Sequence, residues 1–248
     1  MRIGEAKSRS PLRVDLDGPV ELLEAMRLAG TSRILFSSTA AIYGDPETGI
    51  LREDHPQRPT NAYGESKLLF ERLLDWYDRI HGIKHAALRY FNAAGASAQR
   101  GEDHDPETHL IPLVLKTALG KRPAVEIFGT DYPTPDGTCI RDYIHIEDLA
   151  QAHVMALDAL DSRSLHFNLG NGRGYTVREV METARQVTGI DFTVREAGRR
   201  AGDPAVLVAS SERIITELGW QPKHPALEDI IASAWQWHSK HPDGYRAS

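Results

Sequence analysis

Helical and strand-like patterns alternate along this chain, and that alternation narrows the fold more than any other feature. Residues Gly18–Gly30 read as a helix, with Val20, Leu22, Leu23, Ala25, Met26 and Leu28 apolar and Gly30 as its stop. Arg33–Ser38 follows as a short buried strand, with Thr39 at its carboxyl end. Asn61–Ile80 reads as a second helix, with Pro59 ahead of it, Thr60 as its cap and Gly82 beyond its end. His85–Phe91 is again strand-like. Helix, strand, helix, strand in that order predicts a parallel sheet with helices on its faces. Further along, His109–Gly120 reads as a helix with Pro112 in its first turn. Glu126–Gly129 and Tyr143–Ile146 read as strands, Glu147–Leu160 as a helix and Leu165–Leu169 as a strand. Thr176–Gly189 reads as a helix opened by a capping box from Thr176 to Glu179, and Ser210–Ser239 as largely helical.

In open parallel sheets, ligands sit outside the carboxyl ends of the strands, so Thr39 stands where chemistry is expected. One helix later come Tyr63 and Lys67, four residues apart and therefore on one helical face. An ammonium beside a phenol favours the phenolate, which makes a tyrosine usable as a general base near neutral pH. The same Tyr-x-x-x-Lys spacing serves enzymes that pass a hydride to a nicotinamide ring. Such enzymes open with a strand, a glycine-rich turn and a helix that seat the dinucleotide. Met1–Lys7 carries no such fingerprint, so the chain is expected to begin inside a cofactor domain and to hold NAD loosely.

Two loops carry arginines suited to a diphosphate, because a planar guanidinium grips phosphate oxygens at two points. One ends at Arg141; the other is Arg199–Asp203, where Asp203 could accept from a ribose hydroxyl. The bland alternative for Arg141 is a surface pair with Asp142 or Glu147. Gly170–Gly174 mimics a dinucleotide fingerprint, but its third glycine falls one residue early and Tyr175 fills the place where glycine is wanted. A plain strand-to-helix turn is expected there. His104 and His109, with Glu102, Asp103 and Asp105, match no metal-ligand spacing, so a solvated loop and no metal are expected. Cys139 is the only cysteine and is expected to be a packed thiol. With a net charge of −6 the chain has no basic field for nucleic acid. No apolar run approaches a membrane span, and Met1–Ser10 is polar and charged, so a cytoplasmic protein is expected.

Several motifs together resemble the UDP-glucose 4-epimerase family of the extended short-chain dehydrogenase/reductase superfamily. They are Leu35–Gly44, Tyr63–Lys67, Leu88–Asn92, Ile127–Thr138, Arg141–His145 and Arg199–Asp203, with Phe128–His145 the most specific. The resemblance runs from about Gly18 to the end of the chain. It implies an α/β fold: an incomplete Rossmann-type parallel sheet with helices on both faces, plus a smaller mixed α/β substrate domain. Residues 1–92 and 140–170 would form the cofactor domain remnant, and 93–139 and 171–248 the UDP-sugar domain. It also implies NAD as cofactor, a UDP-hexose as substrate, and interconversion of UDP-glucose and UDP-galactose through oxidation and re-reduction at C4. Tyr63 would take the 4-hydroxyl proton, Lys67 would tune it and hold the nicotinamide ribose, and Thr39 would bind the sugar 4-oxygen. Ser37 and Phe91 would lie at the cofactor. Asn92, His109, Leu110, Phe128, Arg141, Arg200 and Asp203 would meet the UDP-sugar, His109 standing where an asparagine is often found. Dimerisation would use the helices from Gly18 and Asn61.

Sister nucleotide-sugar 4,6-dehydratases place acids directly after the strand-end threonine, by the same resemblance; here Ala40 and Ala41 stand there, leaving no acid for elimination. A UDP-pentose or UDP-uronate 4-epimerase shares the chemistry and stays open. So does a non-catalytic UDP-sugar-binding remnant.

Overall fold

The computed structural model describes residues 11–46, 49–200 and 202–245, with side chains described from residue 18 onward. The reading of Met1–Ser10 lies outside these residues. Helix α1 runs Pro11–Ala29, about two turns earlier than the pattern from Gly18 suggested, and passes through Pro19. Strand β1 is Arg33–Thr39, followed by a short 3-10 turn at Ala40–Tyr43 and the two-residue strand β2, Ile50–Leu51. Helix α2 is Ala62–His81, and its N-cap is Asn61, whose side chain accepts from the Gly64 amide; Thr60 does not serve. Gly82 ends α2 in the left-handed region. Strand β3 is Lys84–Tyr90, and β4 is Asn92–Ala94.

Beyond these come α3 (Leu110–Ala118), β5 (Val125–Phe128), β6 (Ile140–His145), α4 (Ile146–Asp158) and β7 (Leu165–Leu169). Next are β8 (Gly174–Thr176), α5 (Val177–Thr188), β9 (Val194–Ala197) and β10 (Val206–Ala209). The capping box of Thr176 and Glu179 is formed as the sequence predicts. The expected single helical tail is two helices, α6 (Glu212–Leu218) and α7 (Leu227–Lys240). Gly219, in the left-handed region, ends the first, and the linker to the second holds Pro222 and Pro225.

The first sheet is parallel, in the order β1–β3–β7. Its strands alternate by face, as a period of two requires. Phe36 and Ala87 pack with Leu23, Phe70 and Leu74 of α1 and α2. Ala86, Leu88 and Phe167 pack with Ala152, Ala156 and Leu160 in and after α4 on the other face. Every residue of β3 from His85 to Arg89 is buried, as in a strand covered on both sides. The second sheet runs β2–β10–β6–β4, parallel, with β8 antiparallel on β6. The parallel pair β5–β9 stands apart. A second core of α3, α5 and α7 side chains, Val114, Leu115, Val180, Met181, Ile230 and Ile231 among them, packs around Tyr143 and Tyr175.

Candidate active site

β1 ends where the chemistry is expected. The Thr39 hydroxyl caps the turn that follows, accepting from the Ala41 amide at 3.1 Å. The same turn receives α2, because Gly64 has no side chain. A Cβ there would lie 2.5 Å from the Ala41 carbonyl oxygen, a backbone atom with little room to give. This close approach brings Tyr63 beside the strand end. Its ring is about half exposed, and Lys67 Nζ lies 5.6 Å from its centroid and 5.1 Å from that of Phe36.

Beneath the strand end, a buried network locks α2 to the sheet. Ser38 Oγ donates to Glu71 Oε1, and Arg89 donates to both Glu71 oxygens, at 2.7 Å through Nη2. Arg89 also donates to the Tyr43 hydroxyl, which donates in turn to Asn168 Oδ1. Burial pushes the Tyr43 phenol up to about 12, against the opposing pull of Arg89 and Asn168, so it stays neutral and structural. Tyr90, on the far face of β3, bonds Ser37 Oγ and His153 Nε2.

Two adjoining cavities run from this point. The larger, about 560 Å³, is lined by Thr39, Tyr63, Phe91, Glu102 and His109, among others. The smaller, about 220 Å³, is lined by Leu110, Phe128, Cys139, Arg141, Arg200 and Asp203. They share Asn92, Ala93, Ala94 and His109 as a common wall. The tyrosine and the guanidinium groups, far apart in sequence, thus line adjoining cavities with these residues between them. Lys67 and Ser37 line neither cavity.

The arginines divide their work. Arg141 does not pair with Asp142 or Glu147: its Nη2 donates to Asp203 Oδ1 at 3.0 Å, and its Nη1 to the Ile140 carbonyl. Asp203 therefore fixes the Arg141 guanidinium as well as lining the cavity. The Arg200 guanidinium stacks on Phe128, 3.7 Å from the ring centroid. Arg199 turns away to Asp131 and Tyr132. Asp142 is buried instead, and accepts from the amides of Asn171, Gly172 and Ala209. The glycine run from Gly170 is thus a turn wrapped around the chain's own carboxylate, leading into β8 and then α5. A Cβ at Gly170 would lie 2.4 Å from Asp142 Oδ2.

His109 sits where both cavities meet, its Nδ1 2.8 Å from Glu102 and 2.9 Å from Glu107. Hydrogen bonds to Glu102 and then Glu107 raise its imidazole to about 10. Burial pushes the Glu107 carboxyl up, but the bonds from the His109 ring and the His109 and Thr108 amides outweigh it and hold it at about 2. The polar loop expected here is therefore drawn together, and it places a cation at the junction of the two cavities. Glu102, weighed in the sequence only as part of that loop, lines the larger cavity. The Ser38–Glu71–Arg89 network had no sequence signal, because its members come from three elements.

Residues 5–170 match the model of the NAD dependent epimerase/dehydratase family. The chain is 53% identical over 232 residues to a UDP-glucose 4-epimerase of Halalkalibacterium halodurans, covering 92% of this chain and 70% of that protein. It superimposes with a TM-score of 0.87 on the UDP-glucose 4-epimerase of Brucella ovis solved with NAD, at 43% identity, covering 91% of this chain and 70% of the other. With the Bifidobacterium longum UDP-glucose 4-epimerase solved with NAD+ and UDP, the TM-score is 0.89 at 37% identity, covering 94% and 71%. On this sequence and structural likeness, the chain belongs to the NAD dependent epimerase/dehydratase family, among its UDP-glucose 4-epimerases.

Proposed function

We propose that this chain interconverts UDP-glucose and UDP-galactose, with its groove holding the sugar between Tyr63 and the arginines. The observation that carries this is the lining of Asn92–Ala94 and His109 common to both, which sets the Tyr63 cavity directly against the Arg141–Arg200 cavity. The diphosphate fits the smaller cavity, held by Arg141 and Arg200 and bordered by Asn92, Leu110 and Phe128. Asp203 steadies Arg141 and accepts from a ribose hydroxyl. The hexose then reaches the larger cavity, where Thr39 donates to the sugar 4-oxygen and Tyr63 accepts the 4-hydroxyl proton. Lys67, one helical turn on, holds its ammonium 5.6 Å from the centroid of that ring, within reach of a ligand seated against the phenol. After the sugar turns over, Tyr63 returns the proton to the 4-oxygen, and C4 is inverted because the hydride would reach it on the opposite face.

The residues present fit the nicotinamide end of NAD: Tyr63 and Lys67 stand together, Phe91 lines the same cavity as Tyr63, and Ser37 is exposed beside the strand end. NAD, when bound, supplies the hydride acceptor for C4. Among the described residues, no glycine-rich strand-to-helix turn offers amides to its diphosphate. We further assign residues 1–92 and 140–170 to the cofactor unit, and 93–139 and 171–248 to the sugar unit. A homodimer is supported by the exposed Leu22, Leu28, Trp76 and Ile80 of α1 and α2. A cytoplasmic location is consistent with the absence, among the described residues, of a helix long and apolar enough to cross a membrane.

The test is turnover of UDP-galactose in a coupled assay with added NAD. Tyr63→Phe is expected to lower kcat by roughly 100-fold or more. Near-wild-type turnover would remove Tyr63 from the base role.

A further inference from the structure

Outside the groove, on the α2 face of the first sheet, Asp75, His85 and His166 converge. One ligand-type atom from each lies within 4.8 Å of the other two. His85 is fully buried, and neither of its ring nitrogens has a hydrogen-bond partner. Buried polar groups in folded proteins are nearly always hydrogen-bonded, so ring nitrogens left without such a bond call for a ligand. His85 Nε2 is 3.4 Å from Asp75 Oδ1, and His166 Nε2 is 3.8 Å from the same oxygen. The two imidazoles are edge to face, at an interplanar angle of 82°. Ligand atoms roughly 2.0–2.2 Å from a tetrahedral zinc stand about 3.4 Å apart. An octahedral ion at the same bond length would need about 3.0 Å, a poorer match. Among the neighbouring charges, Glu71 and Arg89 are paired to each other, while Arg72 and Arg213 line the same cavity as Asp75 and His166. A cavity of about 200 Å³ lined by Asp75, His166, Glu71 and Arg89 opens beside the cluster and leaves room for a water as fourth ligand.

We propose that Asp75, His85 and His166 form a zinc site that pins α2 to β3 and β7. Asp75 lies three turns beyond Tyr63 on the same helix, so the ion would clamp the helix that carries the Tyr–Lys pair. Its role is structural, since no cavity joins it to the groove among the described residues.

The test uses the full chain, stripped with a chelator and titrated with zinc chloride by calorimetry, with thermal melting in parallel. One zinc per chain and a melting temperature that rises with zinc concentration are expected. Asp75→Asn and His166→Gln, both partly exposed and so tolerant of change, should each weaken binding by roughly tenfold or more. His104→Gln and His224→Gln, in two other clusters of histidine and glutamate, should leave it unchanged. Absence of stoichiometric binding overturns the site. So does binding that survives both substitutions in the cluster, or that falls with His104→Gln or His224→Gln.

Discussion

At the scale of single residues, the site depends on one hydrogen atom at Gly64. It lets α2 touch the turn after Thr39, and so sets the distance between the strand-end hydroxyl and the phenol. Gly64→Ala would place a Cβ against the Ala41 carbonyl, and the helix must retreat. A displacement of about 1 Å at a reacting centre costs up to about 100-fold in rate. We therefore expect kcat for UDP-galactose to fall by about that factor, with melting temperature changed far less, a split that steady-state kinetics beside calorimetry would reveal. Arg200 makes a different prediction. Its guanidinium rests on Phe128 at the far end of the groove from Tyr63, so Arg200→Ala should raise KM and leave kcat nearly unchanged. Equal losses in both would place Arg200 in the chemical step. The motifs holding Tyr63, Lys67, Thr39 and Arg200 are local in sequence and were legible there. The Arg141–Asp203 pair was not, because its members come together only when β6 and β10 align side by side.

At the scale of elements, α2 is held by more than its apolar face. Glu71 and Arg89 are both buried, and Ser38 completes the carboxylate's partners. Glu71→Ala would leave the Arg89 charge buried without a counter-charge, a defect that costs about 3–5 kcal/mol. Urea unfolding should show a loss of that size; a change under 1 kcal/mol, on the order of an exposed pair, would mean that the network is relaxed in solution. The helix termini were legible wherever a local signal fixed them, as with Gly82 after α2 and the capping box of α5. They were misjudged where neighbouring residues competed, as with Thr60 against Asn61. The edge strands β2, β8, β9 and β10 are two to four residues long and carry no periodicity of their own. Pairing, not pattern, makes them strands.

At the scale of the whole molecule, pH acts through the junction of the two cavities. His109 has a folded value of about 10, raised above its ordinary 6.5 by Glu102 and Glu107. A raised histidine stabilises the fold fully below pH 6.5, and that contribution is lost as pH climbs through 10. Glu107 works in the opposite window, stabilising above pH 4.5 and losing that contribution as pH falls through about 2. His109 is about half exposed, with 53% of its side chain accessible, so screening limits its share to about 1 kcal/mol or less. Stability measured by urea at pH 6.5 and pH 10 should therefore fall more for the native chain than for His109→Asn. An identical fall in both would show that the cluster does not titrate with folding.

The sequence by itself determined the α/β class, the order of helix and strand, and the Tyr–Lys pair. Each of these is written in residues a few positions apart, where periodicity, caps and helical spacing act directly. Only the tertiary structure decided that the tyrosine and the arginines share a groove, that Asp142 rather than a nucleotide fills the glycine turn, and that His85 is buried beside His166 and Asp75. Those outcomes depend on which strands lie side by side, and strand order is set by burial across the whole sheet rather than by any one segment.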